Sequence, residues 1–260
     1  MSATSQEKLS RDTARIQELI SRRSVIFSHI RGVRARRLQR VSQAFPHIEL
    51  ARELAGIDAP SPYLLSRRKR TLDVIASLVL LAVLAPLLVM VAMIIRLTSP
   101  GPVLFRQKRS GAGGRPFEVY KFRSMYVSER ADGTVVQAAR TDARITPFGR
   151  FMRRTSIDEL PQIFNVLRGE MSLVGPRPHA VQHDEYYAAR IAVYDQRFFA
   201  TPGLSGLAQV NGARGGTPRL GDMERRIAYD LAYIRSASLA GDLRIIGATL
   251  REMLFSSSAY

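Results

Sequence analysis

Three hydrophobic patterns follow one another along the chain. Residues 72–97 are almost wholly apolar, whereas residues 103–107 and 117–122 alternate between apolar and polar side chains. Residues 224–235 and 238–254 carry apolar side chains at every third or fourth position. These spacings are typical of a membrane-length helix, of paired strands and of amphipathic helices, respectively. They predict an α+β fold, in which a long apolar helix precedes a mainly helical domain with a small β-hairpin.

The apolar run is long enough to enter a membrane. Its roughly 26 residues cover about 39 Å as a helix, against a hydrocarbon core of about 30 Å. Because both flanks are basic, the positive-inside tendency assigns both ends to the cytoplasmic side. The flanking cations are Arg67, Arg68, Lys69, Arg70, Arg96, Arg106, Lys108 and Arg109. Pro86, near the middle, favours a bend. We therefore predict a re-entrant helix at residues 66–100, with a straight span as the alternative.

The strong positive charge calls for a polyanionic partner. A formal net charge of +17 suits nucleic acid, an anionic membrane surface or phosphorylated substrates. Nucleic acid leaves the apolar run unexplained, and the aromatic residues form no stacking pattern, so we expect no nucleic-acid partner. The absence of cysteine excludes disulfides and thiolate metal sites. Residues 1–65 form a basic extension with no signal-like start, which is either an amphipathic helix on lipid or a solvated tail.

Two adjacent carboxylates mark the candidate catalytic site. Asp158 and Glu159 lie between Arg153 and Arg154 on one side and Arg177, which is enclosed by two prolines, on the other. Mg²⁺ is usually held by one or two carboxylates together with substrate phosphate oxygens. The forked donors of arginine suit the same oxygens. The stretch therefore predicts a site for Mg²⁺ and a nucleotide diphosphate.

Local sequence signals place this acidic pair at the start of a short helix. Pro161 fits the first helical position and Gly169 fits the C-terminal stop, which predicts a helix over 161–168. The carboxylates then precede an N-terminus, where phosphate docks readily. The alternative is a capping box from Ser156 to Glu159. Such a box would put Pro161 in the second turn at a cost of about 3 kcal/mol, so we expect free carboxylates.

Further polar residues extend the candidate site. Lys121 and Arg123 alternate with apolar residues on the second strand of the hairpin, and Arg144 ends a polar stretch that we expect to form a loop over the site. We interpret these three cations as phosphate contacts. For Lys121 and Arg123, a solvent-exposed face of the strand is the alternative. Gln209 and Asn211 lie in a turn-rich stretch and suit hydrogen bonds to a sugar or base, an ordinary connecting loop being the alternative.

Two histidines raise the question of a zinc site. His179 and His183 are four residues apart, as in a helical zinc pair. However, the sequence shows no third ligand, and the pair follows a Gly-Pro-Arg-Pro turn. We therefore expect His179 to contact the substrate or to pack locally.

Several of these motifs occur together in one known family. They are Lys-Phe-Arg-Ser-Met at 121–125, Arg-Ile-Thr at 144–146, Ser-Ile-Asp-Glu-Leu-Pro-Gln at 156–162, Asn-Val-Leu at 165–167 and Ser-Leu-Val-Gly-Pro-Arg-Pro at 172–178. In this order they resemble the bacterial sugar transferase family, the monotopic polyprenyl-phosphate phosphoglycosyl transferases. The resemblance covers about residues 68 to 250.

The resemblance implies a function and a place in the cell. Asp158 would be the nucleophile that takes a hexose 1-phosphate from a UDP-sugar, releasing UMP, and undecaprenyl phosphate would be the acceptor. Glu159 would hold Mg²⁺. Histidines near His179 resemble the glucose branch, so glucose comes first, galactose second and an N-acetylated amino sugar third. The product would start an exopolysaccharide or another glycan.

The resemblance also implies a domain order and a location. A re-entrant helix at residues 66–100 would attach a catalytic domain, residues 101–260, to the cytoplasmic face of the bacterial inner membrane. The family's core does not require the extension at residues 1–65. A catalytically inert membrane scaffold is the alternative from another functional class, and a homodimer stays open.

Overall fold

The structure of the chain is a computed structural model that describes residues 56–126 and 142–255, except for the side chains of residues 253–255. Most of the predicted basic extension and nearly all of the predicted loop over the site lie outside these residues. Internal contacts divide the chain into Met1–Gly56 and Ile57–Tyr260, and every element below belongs to the second unit.

The elements alternate between helices and very short strands. The α-helices are α1 (Arg67–Thr98), α2 (Pro147–Thr155), α3 (Ile163–Arg168), α4 (Val181–Ala188), α5 (Leu207–Val210), α6 (Leu220–Ser236) and α7 (Leu239–Phe255). The strands are β1 (Leu104–Ser110), β2 (Pro116–Phe122), β3 (Ser172–Val174) and β4 (Gly203–Ser205). Turns of 3₁₀ helix span Pro62–Leu65, Ala112–Gly114, Ile157–Gln162 and Tyr194–Phe199. The described part of the chain is thus mainly helical, in agreement with the predicted fold class.

Helix α1 contains the predicted apolar run and begins and ends at local signals. The Ser66 side chain caps its first turn by accepting a hydrogen bond from the Lys69 N–H at 3.2 Å. Ser99 is extended at its other end, directly before Pro100, because a proline disfavours helical backbone in the preceding residue. The 32 residues make a helix about 48 Å long. Within the described ranges, α1 is the helix with the length and composition to cross a membrane, and Pro86 lies inside it.

Buried polar contacts hold the first half of α1 to the domain. Lys69 Nζ lies 2.7 Å from a carboxylate oxygen of Asp242 in α7 and 3.4 Å from one of Asp73, one turn along α1. Asp73 also accepts hydrogen bonds from the Leu173 N–H and the Ser172 hydroxyl of β3, each at 3.0 Å. Because a buried charge that loses its partner costs several kcal/mol, these contacts tie the start of α1 firmly to β3 and α7.

Apolar packing holds the second half of α1. Leu88, Val91 and Ile95 are buried against Phe122 of β2 and Met152 of α2. The opposite face of the helix is apolar and exposed along its length. Its side chains, which are 47–84% exposed, are those of Ile75, Leu78, Val79, Val83, Val89, Met90, Met93 and Leu97. Helix α1 therefore contacts the same domain near both of its ends and presents one apolar face outward.

Strands β1 and β2 form the predicted hairpin. They pair antiparallel from Leu104 opposite Phe122 to Ser110 opposite Pro116. The turn between them is glycine-rich, and Gly114 has a φ of 73°, a conformation that glycine adopts without steric cost. These glycines thus form the connection between the two strands. Strand β2 packs against the 3₁₀ turn Ile157–Gln162, which brings the hairpin to the acidic pair.

The region between α2 and α3 differs from the prediction. The helix does stop at Gly169, which has a φ of 84°, but it begins at Ile163 rather than Pro161. The preceding 3₁₀ turn Ile157–Gln162 contains both carboxylates and Pro161. The capping box is absent, since Ser156 makes no side-chain cap bond at this turn. The prediction that the carboxylates precede a helix of eight residues was therefore wrong, because tight i to i+3 bonds extend helical structure back to Ser156.

Strands β3 and β4 form a parallel pair that the sequence did not predict. Ser172 pairs with Gly203 and Val174 with Ser205. The two chains approach so closely that a Cβ on Gly203 would lie 2.1 Å from the nitrogen of Gly175. Three residues per strand are too few to show an alternating pattern. This pair fixes the direction of the chain just before the turn that carries Arg177.

Helix α6 forms the centre of the domain. Met223, Ile227 and Leu231 recur along one face and are almost completely buried, which confirms the predicted amphipathic helix with wider bounds. The second predicted C-terminal helix is also present as α7. Its Leu243 and Leu250 are about half exposed. The apolar face of α7 that carries these two leucines therefore lies outside the core.

Candidate active site

The acidic pair lies on a strained turn between α2 and α3. Ser156 ends α2 with a φ of 61°, a left-handed conformation that a residue other than glycine adopts only at a cost of about 1 kcal/mol. Asp158 and Glu159 follow within the 3₁₀ turn and are each only 7% exposed. Two carboxylates are thus placed side by side in a nearly buried position, which requires compensation by nearby cations.

Glu159 receives that compensation from three basic side chains. Lys121 Nζ donates to its Oε1 at 2.7 Å. Arg177 binds both carboxylate oxygens, through Nη2 at 2.6 Å and Nη1 at 3.1 Å. Arg214 Nη2 lies 3.6 Å from Oε2. Burial alone would raise the pKa of Glu159, but Arg177 and Lys121 outweigh it and hold the pKa well below its ordinary value. Glu159 is therefore ionised.

Asp158 has a different environment from its neighbour. In the described part of the chain, no group donates a hydrogen bond to its carboxylate. Burial raises the pKa of Asp158 to about 6, with Lys121 acting in the opposite direction and Glu159 adding to the rise. At neutral pH the group is ionised and poorly stabilised, which leaves it reactive toward an electrophile. The two carboxylates thus differ in environment: Glu159 binds Lys121 and Arg177, and Asp158 accepts no hydrogen bond from the described residues.

Arg153 and Arg154, the two cations that precede the acidic pair in the sequence, lie in different positions relative to the site. Arg153 lies near enough to lower the pKa of Asp158, against the dominant effect of burial, and its Nη1 lies 3.6 Å from the Met125 sulfur. Arg154 is exposed, and none of the described contacts joins it to the carboxylates. Of this pair, only Arg153 faces the site.

Arg123 and Arg144 make contacts outside the acidic pair. Arg123 lies just beyond β2, is buried and donates through Nη2 to the carbonyl and hydroxyl oxygens of Ser99, both at 2.8 Å. It therefore caps the C-terminal end of α1, where a positive charge is favourable. Arg144 forms a close ion pair with Asp142 at 2.6 Å. The structure thus brings Lys121 to the site but not Arg123. The reason is that β2 ends at Phe122, so Arg123 does not continue the strand.

His179 is buried instead of facing a substrate. Its Nδ1 lies 2.7 Å from the Tyr194 hydroxyl and 2.6 Å from Arg197 Nη1, and its Nε2 lies 3.1 Å from Arg226 Nη1. Burial, followed by Arg197 and Arg226, lowers the pKa of His179 well below its ordinary value. The described residues contain no group of three ligands around it that could hold a metal. The local-packing interpretation of His179 therefore fits better than substrate contact.

Gln209 and Asn211 also bind their own chain segment. Gln209 is buried and donates to the Leu204 carbonyl at 3.1 Å. Asn211 is exposed and donates to the Leu207 carbonyl at 2.8 Å, at the end of α5. Both contacts shape the turn after β4, as the alternative of a connecting loop predicted.

Arg214 is the site residue that sequence reasoning missed. Besides its approach to Glu159, it donates to the Ser156 hydroxyl at 2.5 Å. It follows Gln209 and Asn211 in the same turn-rich stretch, where Gly212, Gly215 and Gly216 enclose it. A single cation among glycines was the available signal, since such a loop can bring a long side chain close to a phosphate.

The oxygen atoms of this pair fit a divalent cation. An ionised carboxylate offers about four acceptor positions, of which Glu159 uses three for its hydrogen bonds to Lys121 and Arg177. The carboxylate of Asp158 adds further positions beside it. Hard oxygen ligands from one or two carboxylates are the usual protein contribution to a Mg²⁺ site. Glu159 and Asp158 are the residues that would hold the ion.

Comparisons with known proteins identify the family of the chain. The model of the bacterial sugar transferase family matches residues 65–256. A UDP-glucose:undecaprenyl-phosphate glucose-1-phosphate transferase of Caulobacter vibrioides is 55% identical over 194 residues, which is 74% of this chain and 72% of the relative. The protein of the same name from Escherichia coli is 47% identical over 192 residues, which is 74% of this chain and 41% of the relative.

A further relative is named for another sugar. A UDP-N-acetylgalactosamine-undecaprenyl-phosphate N-acetylgalactosaminephosphotransferase of Aeromonas hydrophila is 40% identical over 186 residues, which is 72% of this chain and 43% of the relative. The chain thus spans about two fifths of the length of the E. coli and Aeromonas proteins, but nearly three quarters of the Caulobacter protein. The chain therefore belongs to the bacterial sugar transferase family and is an enzyme of the phosphoglycosyl transferase class.

Proposed function

We propose that the chain transfers a hexose 1-phosphate, glucose 1-phosphate in the first place, from a UDP-sugar to undecaprenyl phosphate. The observation that carries the proposal is the contrast between the two adjacent carboxylates. Asp158 accepts no hydrogen bond from the described residues. Glu159 forms ion pairs with Lys121, Arg177 and Arg214. One reactive carboxylate beside three cations suits attack on a diphosphate.

In the first step, an oxygen of Asp158 attacks the β-phosphorus of the UDP-sugar. The new bond joins this oxygen to phosphorus, and the bond from phosphorus to the bridging oxygen breaks. UMP leaves with the electron pair, and the sugar phosphate stays on Asp158. In the second step, an oxygen of undecaprenyl phosphate attacks the same phosphorus, and the Asp158 carboxylate is released. The products are UMP and an undecaprenyl diphosphate sugar.

The cations around Glu159 supply the electrostatic part of the mechanism. Arg177 donates two hydrogen bonds in a forked geometry that matches phosphate oxygens as well as carboxylate oxygens. Lys121 and Arg214 add two further positive charges on the same side. When substrate binds, these groups share their hydrogen bonds between Glu159 and the diphosphate, and so stabilise charge on the departing UMP. A bound Mg²⁺ would neutralise phosphate oxygens at the same place.

The contacts of α1 support a re-entrant attachment to the membrane. A helix that crosses a bilayer has its ends on opposite faces, yet Lys69 and Ile95, near opposite ends of α1, both pack on the same domain. The outward face is apolar throughout, as a lipid environment requires. We therefore place both ends of α1 at the cytoplasmic face of the bacterial inner membrane.

The absence of cysteine makes this topology directly testable. Single cysteines would replace Arg68, Arg96 and Val83, which are all exposed side chains of α1. In intact inside-out vesicles, a membrane-impermeant maleimide should label the cysteines at Arg68 and Arg96 but not the one at Val83. In right-side-out vesicles, labelling of either end residue would contradict a re-entrant helix and indicate a straight span.

The covalent step is tested with purified protein, Mg²⁺ and radiolabelled UDP-glucose, without a lipid acceptor. Label should remain on denatured wild-type protein and be lost in Asp158→Asn. Asp222→Asn is the matched control, since Asp222 pairs with Arg219 on the surface of α6. Equal labelling of wild type and Asp158→Asn would contradict the proposed nucleophile.

The donor sugar is tested in the same assay. Labelling by UDP-galactose or UDP-N-acetylgalactosamine in place of UDP-glucose would keep the chemistry and change the substrate. UDP-N-acetylgalactosamine must be included, because two relatives are named for the transfer of N-acetylgalactosamine phosphate. Unaltered glycolipid production by Asp158→Ala in membranes would contradict the proposed role of Asp158.

A further inference from the structure

The loop that carries Arg214 is rich in glycine. Three of the six residues from Asn211 to Gly216 are glycines, and Gly212 has a φ of 75°. A Cβ added at Gly215 would meet no atom within 4 Å, so the space on that side of the residue is open. Glycine-rich segments lose much conformational entropy when they become ordered. The Ala213 N–H donates to the Ala208 carbonyl oxygen at 2.9 Å, and further contacts beyond this segment hold Arg214 near Glu159.

Arg226 supplies contacts on both sides of Arg214. Its Nε donates to the carbonyl oxygen of Ala213 at 2.9 Å, and its Nη2 donates to the carbonyl oxygen of Gly215. The two acceptors directly precede and follow Arg214 in the chain. Arg226 is itself buried on α6, next to the fully buried Ile227. Helix α6, at the centre of the domain, thus binds the main chain of the loop at two carbonyl groups through Arg226.

The same arginine is linked to the turn that carries Arg177. Arg226 Nη1 lies 3.1 Å from His179 Nε2, and Arg197 Nη1 lies 2.6 Å from His179 Nδ1. Arg197 Nη2 donates to the carbonyl oxygen of Arg177 at 2.5 Å. A guanidinium group can only donate hydrogen bonds, and a neutral imidazole accepts them at one nitrogen only, so His179 is neutral and accepts from one of the two arginines while the other arginine packs against its N–H side. Burial and the two arginines also hold the pKa of His179 well below its ordinary value.

We propose that Arg226 is a positioning residue, which holds the loop at residues 213–215 so that Arg214 reaches the substrate phosphates beside Glu159. The neutral His179 packs between Arg226 and Arg197, and Arg197 binds the Arg177 carbonyl oxygen, so that this buried cluster sets the separation of the two arginine-bearing segments. The proposal rests on the proposed function, because it takes Arg214 as a group that binds phosphate.

A double-mutant cycle separates positioning from a general effect on the fold. The four proteins are the wild type, Arg226→Gln, Arg214→Gln and the double variant, each as the full chain in detergent. If Arg226 acts through Arg214, Arg226→Gln should lower kcat/KM for UDP-glucose at least tenfold in the wild type and less than threefold in the Arg214→Gln background. Equal fold losses in both backgrounds would overturn the proposal.

Two further variants keep the result interpretable. Arg226→Lys keeps the positive charge but cannot reach both carbonyl groups, so its loss of kcat/KM should be intermediate, with most of the change in the KM for UDP-glucose. If Arg226→Gln does not fold, the cycle is run with Arg226→Lys. Arg244→Gln, an exposed position on α7, is the control and should stay within twofold of the wild type.

The same four proteins are compared by their thermal midpoints. The shift of the midpoint in the double variant should differ from the sum of the two single shifts by at least 2 °C. The reason is that Arg214 contacts Ser156 and Glu159 only while Arg226 holds the loop in place. If the wild type transfers no sugar phosphate from any UDP-sugar, the proposed function fails, and the thermal cycle still tests the loop. Additive thermal shifts would then refute the positioning role.

Discussion

The different environments of Asp158 and Glu159 predict opposite effects of neutralising each one. Burial raises the pKa of Asp158 from 3.8 to about 6. At about 1.4 kcal/mol for each pH unit, this difference corresponds to about 3 kcal/mol of folding free energy. A carboxyl group whose pKa is raised by folding favours the folded state at low pH. That stability is complete below pH 4 and is lost as the pH rises through 6.

Asp158→Asn should therefore make the inactive enzyme more stable at neutral pH. Above pH 7 the wild type carries the full cost of an ionised, buried Asp158, and the amide does not. For a domain of about 200 residues, 1 kcal/mol changes the thermal midpoint by about 2–4 °C, so the midpoint should rise by at least about 6 °C. The difference between variant and wild type should shrink below pH 6 and vanish near pH 4.

Glu159→Gln is the matched control with the opposite sign. The pKa of Glu159 is held well below 4.5, so its stabilising contribution is present throughout the neutral range and is lost only as the pH falls through that low value. Removing its charge leaves Lys121, Arg177 and Arg214 without their common partner, which costs about 3–5 kcal/mol. The thermal midpoint should fall by a similar amount at every pH between 5.5 and 8.

The measurement is thermal unfolding in detergent from pH 4 to 8, followed by circular dichroism. The rate of covalent labelling by UDP-glucose in the wild type should rise through pH 6 and then level off, because only ionised Asp158 attacks. A lower midpoint for Asp158→Asn at pH 7.5 would refute the reasoning. A rise that does not change with pH would show that the amide stabilises by packing and not by removal of a buried charge.

Three further predictions concern other contacts. Arg177→Lys loses one of two parallel hydrogen bonds, worth about 1.5–3 kcal/mol, so kcat/KM for UDP-glucose should fall about 10- to 100-fold in steady-state assays; an unchanged value would exclude Arg177 from substrate binding. Gly149→Ala places a Cβ 2.0 Å from the Ser124 carbonyl oxygen and should lower the thermal midpoint by several degrees, whereas Gly247→Ala, in open space on α7, should not lower it. Lys69→Met leaves two buried aspartates unpaired and should cost about 3–5 kcal/mol in urea unfolding; a loss below about 1 kcal/mol would contradict the inferred tie between α1 and α7.

The sequence by itself determined the elements that depend on near neighbours. The apolar run became α1, the two alternating segments became the hairpin, and Gly169 ended a helix, because each signal acts within a few residues of its own position. The acidic pair and Arg177 were also recognisable as a candidate site, since two adjacent carboxylates stand among arginines in the sequence. These features required no knowledge of distant contacts.

The prediction of the turn around Asp158 was wrong at the level of local hydrogen bonds. Pro161 was interpreted as the first residue of a helix, but a 3₁₀ turn from Ile157 to Gln162 accommodates it. Sequence does not separate these two forms well, because proline in the first turn suits both. The consequence is that the carboxylates lie within a helical turn rather than before it.

Only the tertiary structure decided which of the many cations reach the site. The chain has 39 lysines and arginines, and the sequence does not give the partners that separate Arg214, which contacts Glu159, from Arg123, which caps the end of α1. Likewise, the sequence left substrate contact and local packing open for His179, which lies between Arg197 and Arg226. These contacts join residues that are 18 to 55 positions apart in the chain. Their physical cause is the packing of α6 against the two loops, and packing between distant segments leaves no periodic pattern in the sequence.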